Sequence, residues 1–470
     1  MKLKFLEYFT LLIGFYMAWN IGANDVANAV STSVGSKALT LKKAVILAGI
    51  FEFLGAYFLG GNVSKTIQSG IINPEVFSGD MIIFILGMIS ALFATSVWLN
   101  LASYFKLPVS TTHAIIGAVI GFGAIIGGVH SVDWVLVSSI ALSWIITPLV
   151  SGFIAFFIFT LLQKKILYAF SPIDATKKFI PVLVFFIFSF IAMSIIYGKL
   201  TTFKLNLSLQ LSLFISIGIG LLFSMVSYIL VRKIKVTTCS VVYHHPSQLF
   251  SLEKAKKHLL RINLTSKGNT KDRSEKMLEE IDSLIDEHKE KTKYYEETSE
   301  YSKVEKAFGF LQMISLCMVA FAHGSNDVAN AVGPIAAVIQ TINLNKVQFA
   351  SVIPYWILLL GSAGIVLGLA TWGWRVVETI GHKITQLTPT RGFSAEFATA
   401  ITILVASKLG LPISTTHALV GGILGVGLAK GLSALNLRTL RDIGLSWVIT
   451  LPTCAVLSIL IFYLLKLIFY

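Results

Sequence analysis

The chain has 470 residues, 55% of them hydrophobic and only 13% charged, with a mean hydropathy of +0.78. These values exclude a soluble globular protein and specify a polytopic membrane protein. The net charge of +14 does not imply nucleic-acid binding, because residues 251–306 hold 13 Lys/Arg and 13 Asp/Glu, so the whole excess sits in the membrane part, as span-flanking basic loops require.

In chain order, apolar runs of about 20 residues, the length that spans a bilayer at 1.5 Å per residue, fall near 5–30, 41–60, 81–104, 112–130 and 134–162. The first opens with lysines but shows no small-residue cleavage pattern, and is read as a retained span. Two further runs lie near 179–197 and 208–231, followed by a polar insert. Five more lie near 308–336, 348–373, 394–408, 413–430 and 443–468. The fold expected is all-α, with about twelve transmembrane helices. The insert carries Met277, Leu278, Ile281, Leu284, Ile285 and His288 at helical spacing, which predicts an amphipathic helix over 275–291. Cys239, Cys317 and Cys454 have neither metal nor disulfide spacing.

The two blocks of five spans repeat one another. Gly22-Ala23-Asn24-Asp25-Val26-Ala27-Asn28-Ala29 returns as Gly324-Ser325-Asn326-Asp327-Val328-Ala329-Asn330-Ala331. Pro108-Val109-Ser110-Thr111-Thr112-His113 returns as Pro412-Ile413-Ser414-Thr415-Thr416-His417, and Ser143-Trp144 returns as Ser446-Trp447. The domains expected are a first transmembrane repeat (1–165), two central helices (166–235), a charged insert (236–306) and a second repeat (307–470). Five spans plus two place the second repeat upside down relative to the first. Basic loops such as Lys42-Lys43, Lys164-Lys165 and Lys177-Lys178 fall on one side, assigned to the cytoplasm with the insert, and both termini then lie outside. Inverted repeats with broken or re-entrant helices at the centre are a plan of secondary transporters.

A charged aspartate near the bilayer centre costs about 2.5–3.5 kcal/mol and usually marks an ion or substrate path. Asn24, Asp25 and Asn28, matched by Asn326, Asp327 and Asn330, share helix faces and offer the hard oxygens that a sodium ion takes. The alternative is interhelical hydrogen-bond glue. Gly22 is read as relaxing the helix there. Ser110, Thr111 and Thr112, matched by Ser414, Thr415 and Thr416, stand after a proline at a helix start inside the membrane, where hydroxyls and first-turn N–H groups suit a tetrahedral oxyanion; plain capping is the alternative. His113 and His417 are candidates for donation, proton carriage or structure. Glu52, with Ile365 where the repeats align, is a candidate cation or proton group. Ser143 and Ser446 are candidate accessory hydroxyls.

These duplicated Asn-Asp and Pro-x-Ser-Thr-Thr-His segments resemble the inorganic phosphate transporter (PiT) family, and the resemblance covers both repeats, essentially everything except the central insert. The resemblance implies a cell-membrane phosphate symporter, with sodium the preferred coupling ion and a proton the alternative. Sulfate symport and an anion channel are further alternatives. The partners expected are inorganic phosphate, a monovalent cation and the lipid bilayer, with no nucleic acid and no cofactor; a homo-oligomer is compatible with the sequence. There is no P-loop, and the symmetric duplication of Ser, His and Asp argues against an enzyme.

Overall fold

The computed structural model describes residues 2–105, 107–197, 207–233, 246–298, 300–347, 352–374, 387–431 and 436–470, without the side chains of 26–28, 197, 246–250, 288–298, 300 and 437–439. A chain in lipid must satisfy its backbone polar groups within each segment, which helices do. Among the described residues a helix accordingly falls in every apolar run: α1 (Lys2–Asn24), α2 (Val26–Gly35), α3 (Leu41–Leu59), α4 (Gly61–Ser69), α5 (Met81–Tyr104), α6 (Thr111–Ile126), α7 (Trp134–Leu162), α8 (Pro172–Tyr197) and α9 (Leu209–Arg232). Then come α10 (Pro246–Thr265), α11 (Asn269–Thr298), α12 (Glu300–Asp327), α13 (Ala329–Leu344), α14 (Tyr355–Trp372), α15 (Pro389–Lys408), α16 (Thr415–Lys430) and α17 (Leu437–Phe469).

Among the described residues, seven helices are long and apolar enough to cross a membrane, or eight when α3 and α4, bent by 61° at Gly60, count as one. Helices α6 and α16 have 16 residues each, about 24 Å at 1.5 Å per residue, short of a full span. α4 is an element the sequence did not suggest, because Gly61-Asn62-Val63-Ser64-Lys65 reads as a polar loop.

The described residues form two compact units. One comprises 1–159, 190–217 and 308–470; the other comprises 160–189 and 218–307. In the second, α10 and α11 form a hairpin around Gly268, whose φ of 63° favours glycine, and Lys256 pairs with Asp282. The amphipathic helix expected over 275–291 lies within α11, with Ile285 buried and Met277 exposed; the side chain of His288 is outside the described residues.

The first unit packs by close backbone approach, as membrane helices do. A side chain on Gly22 would run into the carbonyl of Ile365, and one on Gly324 into the carbonyl of Glu52. Gly22 therefore is a packing residue and not a relaxed point: Asp25 N still donates to Ile21 O at 2.8 Å. The interruption is one residue wide, at Asp25 between α1 and α2, and likewise at Val328 between α12 and α13. Gly324→Ala is expected to cost about 1–3 kcal/mol by overpacking against backbone that cannot yield. Gly444→Ala, where an added Cβ meets nothing within 4 Å, is the control. Thermal unfolding of the purified variants in detergent checks the difference.

Candidate functional site

The two Asn-Asp segments and the two hydroxyl segments meet in one buried cluster. Proline and the following extended residues end the preceding helix, and Ser110 and Ser414 cap α6 and α16, each accepting from the N–H three residues on (His113 and His417) at 3.2 Å. Both serines are thus caps whose O–H remains a donor. Thr111 Oγ1 donates to Asp25 Oδ2 at 2.5 Å, and Thr415 Oγ1 to Asp327 Oδ2 at 2.7 Å. The halves also interlock: Thr416 Oγ1 donates to Asp25 Oδ1 at 3.0 Å, and Asn330 Nδ2 donates to Thr111 and Thr112 hydroxyls at 3.1 and 3.3 Å. Thr112 Oγ1 turns instead to Ile413 O at 2.9 Å.

Asn24 and Asn326 are held alike. Asn24 Nδ2 donates to Ser103 Oγ at 3.0 Å and to Leu107 O at 3.3 Å; Asn326 Nδ2 donates to Ser407 Oγ and Leu411 O, both at 3.1 Å. A backbone carbonyl only accepts, so these bonds fix the amide orientation and turn both Oδ1 atoms away from the donor side. Asn24 Oδ1, Asn326 Oδ1 and Asp327 Oδ1 are buried acceptors that make no hydrogen bond. Buried polar atoms normally have partners, and a hard oxygen of this kind is the ligand type that a small hard cation takes. A carboxylate oxygen of Asp25 and one of Asp327 lie within 4.8 Å of each other, with a ring nitrogen of His323 at the same reach. The side chain of Asn28 is outside the described residues.

His323 is the residue that the sequence reading left unassigned. Its Nδ1 lies 2.5 Å from Glu52 Oε1 and its Nε2 2.8 Å from Asp327 Oδ2, with all three side chains buried. The Nδ1 contact is a hydrogen bond, whereas Nε2 makes no hydrogen bond and meets Asp327 at ion-pair distance. The matching positions in the other half are Ile21 and Ile365, both fully buried, so one half of the site carries an ionic chain where the other is apolar. The signal available in the sequence was this pair of coincident asymmetries.

His113 and His417 lie away from the carboxylates, with ring centroids 4.6 Å apart. Their Nδ1 atoms face Trp447 O at 3.4 Å and Trp144 O at 3.0 Å, which makes each Nδ1 the donor and leaves each Nε2 an acceptor without a partner. Ser143 Oγ bonds within its own helix to Ile140 O, whereas Ser446 Oγ also reaches Pro108 O at 3.3 Å. Neither serine is joined to the aspartates. A further buried carboxylate, Glu396, accepts from Thr32, Ser33, Gln312 and Ser315. The hydroxyls around this acid come from two other helices, α2 and α12, and no single segment of the sequence shows them together.

The phosphate transporter family matches residues 21–458. A Chlamydia pneumoniae protein provisionally named a phosphate permease is 42% identical over 98% of this chain and 99% of its own. The chloroplast inorganic phosphate transporter 2-1 of Arabidopsis thaliana is 39% identical over 98% of this chain and 72% of its own. A solved structure described as "The sodium-dependent phosphate transporter" matches with a TM-score of 0.80 at 34% identity, covering 98% of this chain and 99% of that one. With its multi-pass helical fold and its buried polar centre, the chain belongs to the phosphate transporter family, a family of membrane transporters and not of enzymes.

Proposed function

We propose that the chain is a secondary active importer that carries inorganic phosphate together with a monovalent cation, sodium being the ion preferred. The observation that carries this reading is the set of bare buried oxygens on Asn24, Asn326 and Asp327 beside two facing hydroxyl trios. In this reading the cation takes Asn24, Asp25, Asn326 and Asp327, with Asn28 and Asn330 completing the pair of motifs. Phosphate takes the hydroxyls of Ser110, Thr111, Thr112, Ser414, Thr415 and Thr416, together with first-turn N–H groups at the positive ends of α6 and α16.

The hydrogen bonds suggest how the two substrates are coupled. Each threonine hydroxyl has one proton to give, and Thr111, Thr415 and Thr416 give theirs to Asp25 and Asp327. A cation on the carboxylate oxygens weakens them as acceptors and frees the hydroxyls to donate to phosphate. The cation therefore binds first. Import of a dianion against 100 mV costs about 4.6 kcal/mol, at about 2.3 kcal/mol per charge, so two monovalent cations cancel its charge and their own gradient drives accumulation. Rocking of the two repeats, inverted relative to each other, about the central site gives alternating access.

Phosphate binding to the purified protein, measured by calorimetry in sodium and then in choline, tests the order. Binding is expected only, or at least about tenfold more tightly, in sodium; equal affinity in both would remove the coupling. Thr112→Val with Thr416→Val is expected to raise the phosphate KM at least about tenfold, since a hydrogen bond to a charged group is worth about 1.5–3 kcal/mol. The sodium half-saturation should move less, and uptake titrations of both ions check it. A second reading, proton coupling, is favoured by the Glu52–His323–Asp327 chain, and a proton gradient imposed without sodium separates the two.

A further inference from the structure

Beside the second half of the site lies a cavity of ≈ 400 Å³ whose lining includes Asn62, Lys65, Thr66, Tyr355, Lys408 and Gly410, with two lysines and no carboxylate among its lining residues. Its walls come from separate parts of the chain: α4, the start of α14 and the turn after α15. Thr66 Oγ1 donates to Gly410 O at 2.7 Å and ties α4 to that turn. The turn leads straight to the central cluster. Ser407, just before Lys408, accepts from Ser325 and Asn326, and Leu411, just after Gly410, offers its carbonyl to Asn326. The chain then runs through Pro412 into Ser414 and Thr415.

The lysines are not a duplicated structural feature. At the offset that relates Ser110 to Ser414, Lys408 corresponds to Tyr104. Both ammonium groups are on exposed residues. In the orientation proposed from the basic loops, they lie on the outer face, opposite the side where the positive-inside rule gathers cations. Two cations at the mouth of a concave cavity with low-dielectric walls concentrate anions and raise their rate of entry.

We propose that this cavity is an outer antechamber that collects phosphate, a divalent oxyanion, and passes it along the 408–411 turn to the hydroxyls of α16. The inference rests on the reading of the chain as a phosphate importer and adds to it a separate, weaker anion site with Lys65 and Lys408 as its attracting groups. Its action is electrostatic, so it fades as salt shortens the Debye length from about 10 Å at 0.1 M to about 3 Å at 1 M.

The test is phosphate uptake into vesicles by wild type, Lys65→Gln, Lys408→Gln and the double variant, with sodium held constant and ionic strength set by choline chloride. Phosphate KM is expected to rise about threefold in each single variant and roughly tenfold in the double at low ionic strength. The difference should shrink at 1 M salt, and sodium half-saturation should move little. The Lys65→Cys variant adds a test of charge alone: a trimethylammonium-bearing thiol reagent should restore KM, and a sulfonate-bearing one should raise it further, with treated wild type as the control for Cys317. An unchanged KM in the double variant, a parallel rise in the sodium requirement, or equal effects of the two reagents would overturn the antechamber while leaving the importer intact. Wild-type vesicles that take up no phosphate would overturn the importer reading, and the antechamber with it.

Discussion

Replacing Asp327 by asparagine is expected to lower sodium-driven phosphate uptake at least about a hundredfold while leaving the protein in the membrane. Asp327 receives Thr415 Oγ1 on Oδ2, which also lies 2.8 Å from the His323 ring, and keeps Oδ1 bare. An amide in its place supplies at most one oxygen and carries no charge. A contact to a charged group is worth about 1.5–3 kcal/mol, and about 1.4 kcal/mol corresponds to tenfold, which sets the scale of the loss. Asp327→Glu keeps the charge but displaces the oxygens by a methylene, and should retain more uptake than Asp327→Asn. Uptake normalised to membrane-inserted protein checks the order; wild-type uptake by Asp327→Asn would remove the cation assignment.

The second large effect concerns Glu52 and His323. His323→Ile leaves Glu52, fully buried with Oε2 already without a partner, as an uncompensated carboxylate, at a cost of about 3–5 kcal/mol. Adding Glu52→Ile recreates the Ile21 and Ile365 arrangement of the other half, and well-packed apolar replacements of buried ion pairs are often neutral or stabilising. The double variant is therefore expected to unfold at a higher temperature than the single one, while its uptake stays impaired because Asp327 has lost its paired ring. Thermal unfolding in detergent and uptake in vesicles separate the two effects. If single and double variants are equally unstable, the Glu52–His323 contact is not what the positions are for.

The helices and the duplicated chemistry were legible in the sequence because hydropathy and repetition are local properties. Apolar runs gave the spans, and the near-identity of the segments around Asp25 and Asp327, and around Ser110 and Ser414, marked the groups that cluster. What escaped was pairing across distance. Thr111 and Asp25 were read as members of separate anion and cation sets, yet the folded chain joins them through one hydroxyl. His323 stands directly before a repeated motif and has isoleucine as its counterpart, so symmetry hid it. Its partner Glu52 lies 271 residues away. Gly22 was read through backbone freedom, whereas its neighbour across the packing, Ile365 O, is invisible to any single-segment pattern. Glu396 shows the same limit, since its hydroxyl partners come from α2 and α12.

The central claim, coupled accumulation, is tested most directly by radiolabelled phosphate uptake into proteoliposomes under an inward sodium gradient, with sulfate as competitor. Transient accumulation above the external phosphate concentration is expected, abolished when sodium is equal on both sides and little affected by excess sulfate. Phosphate that only equilibrates whatever the sodium gradient would contradict it.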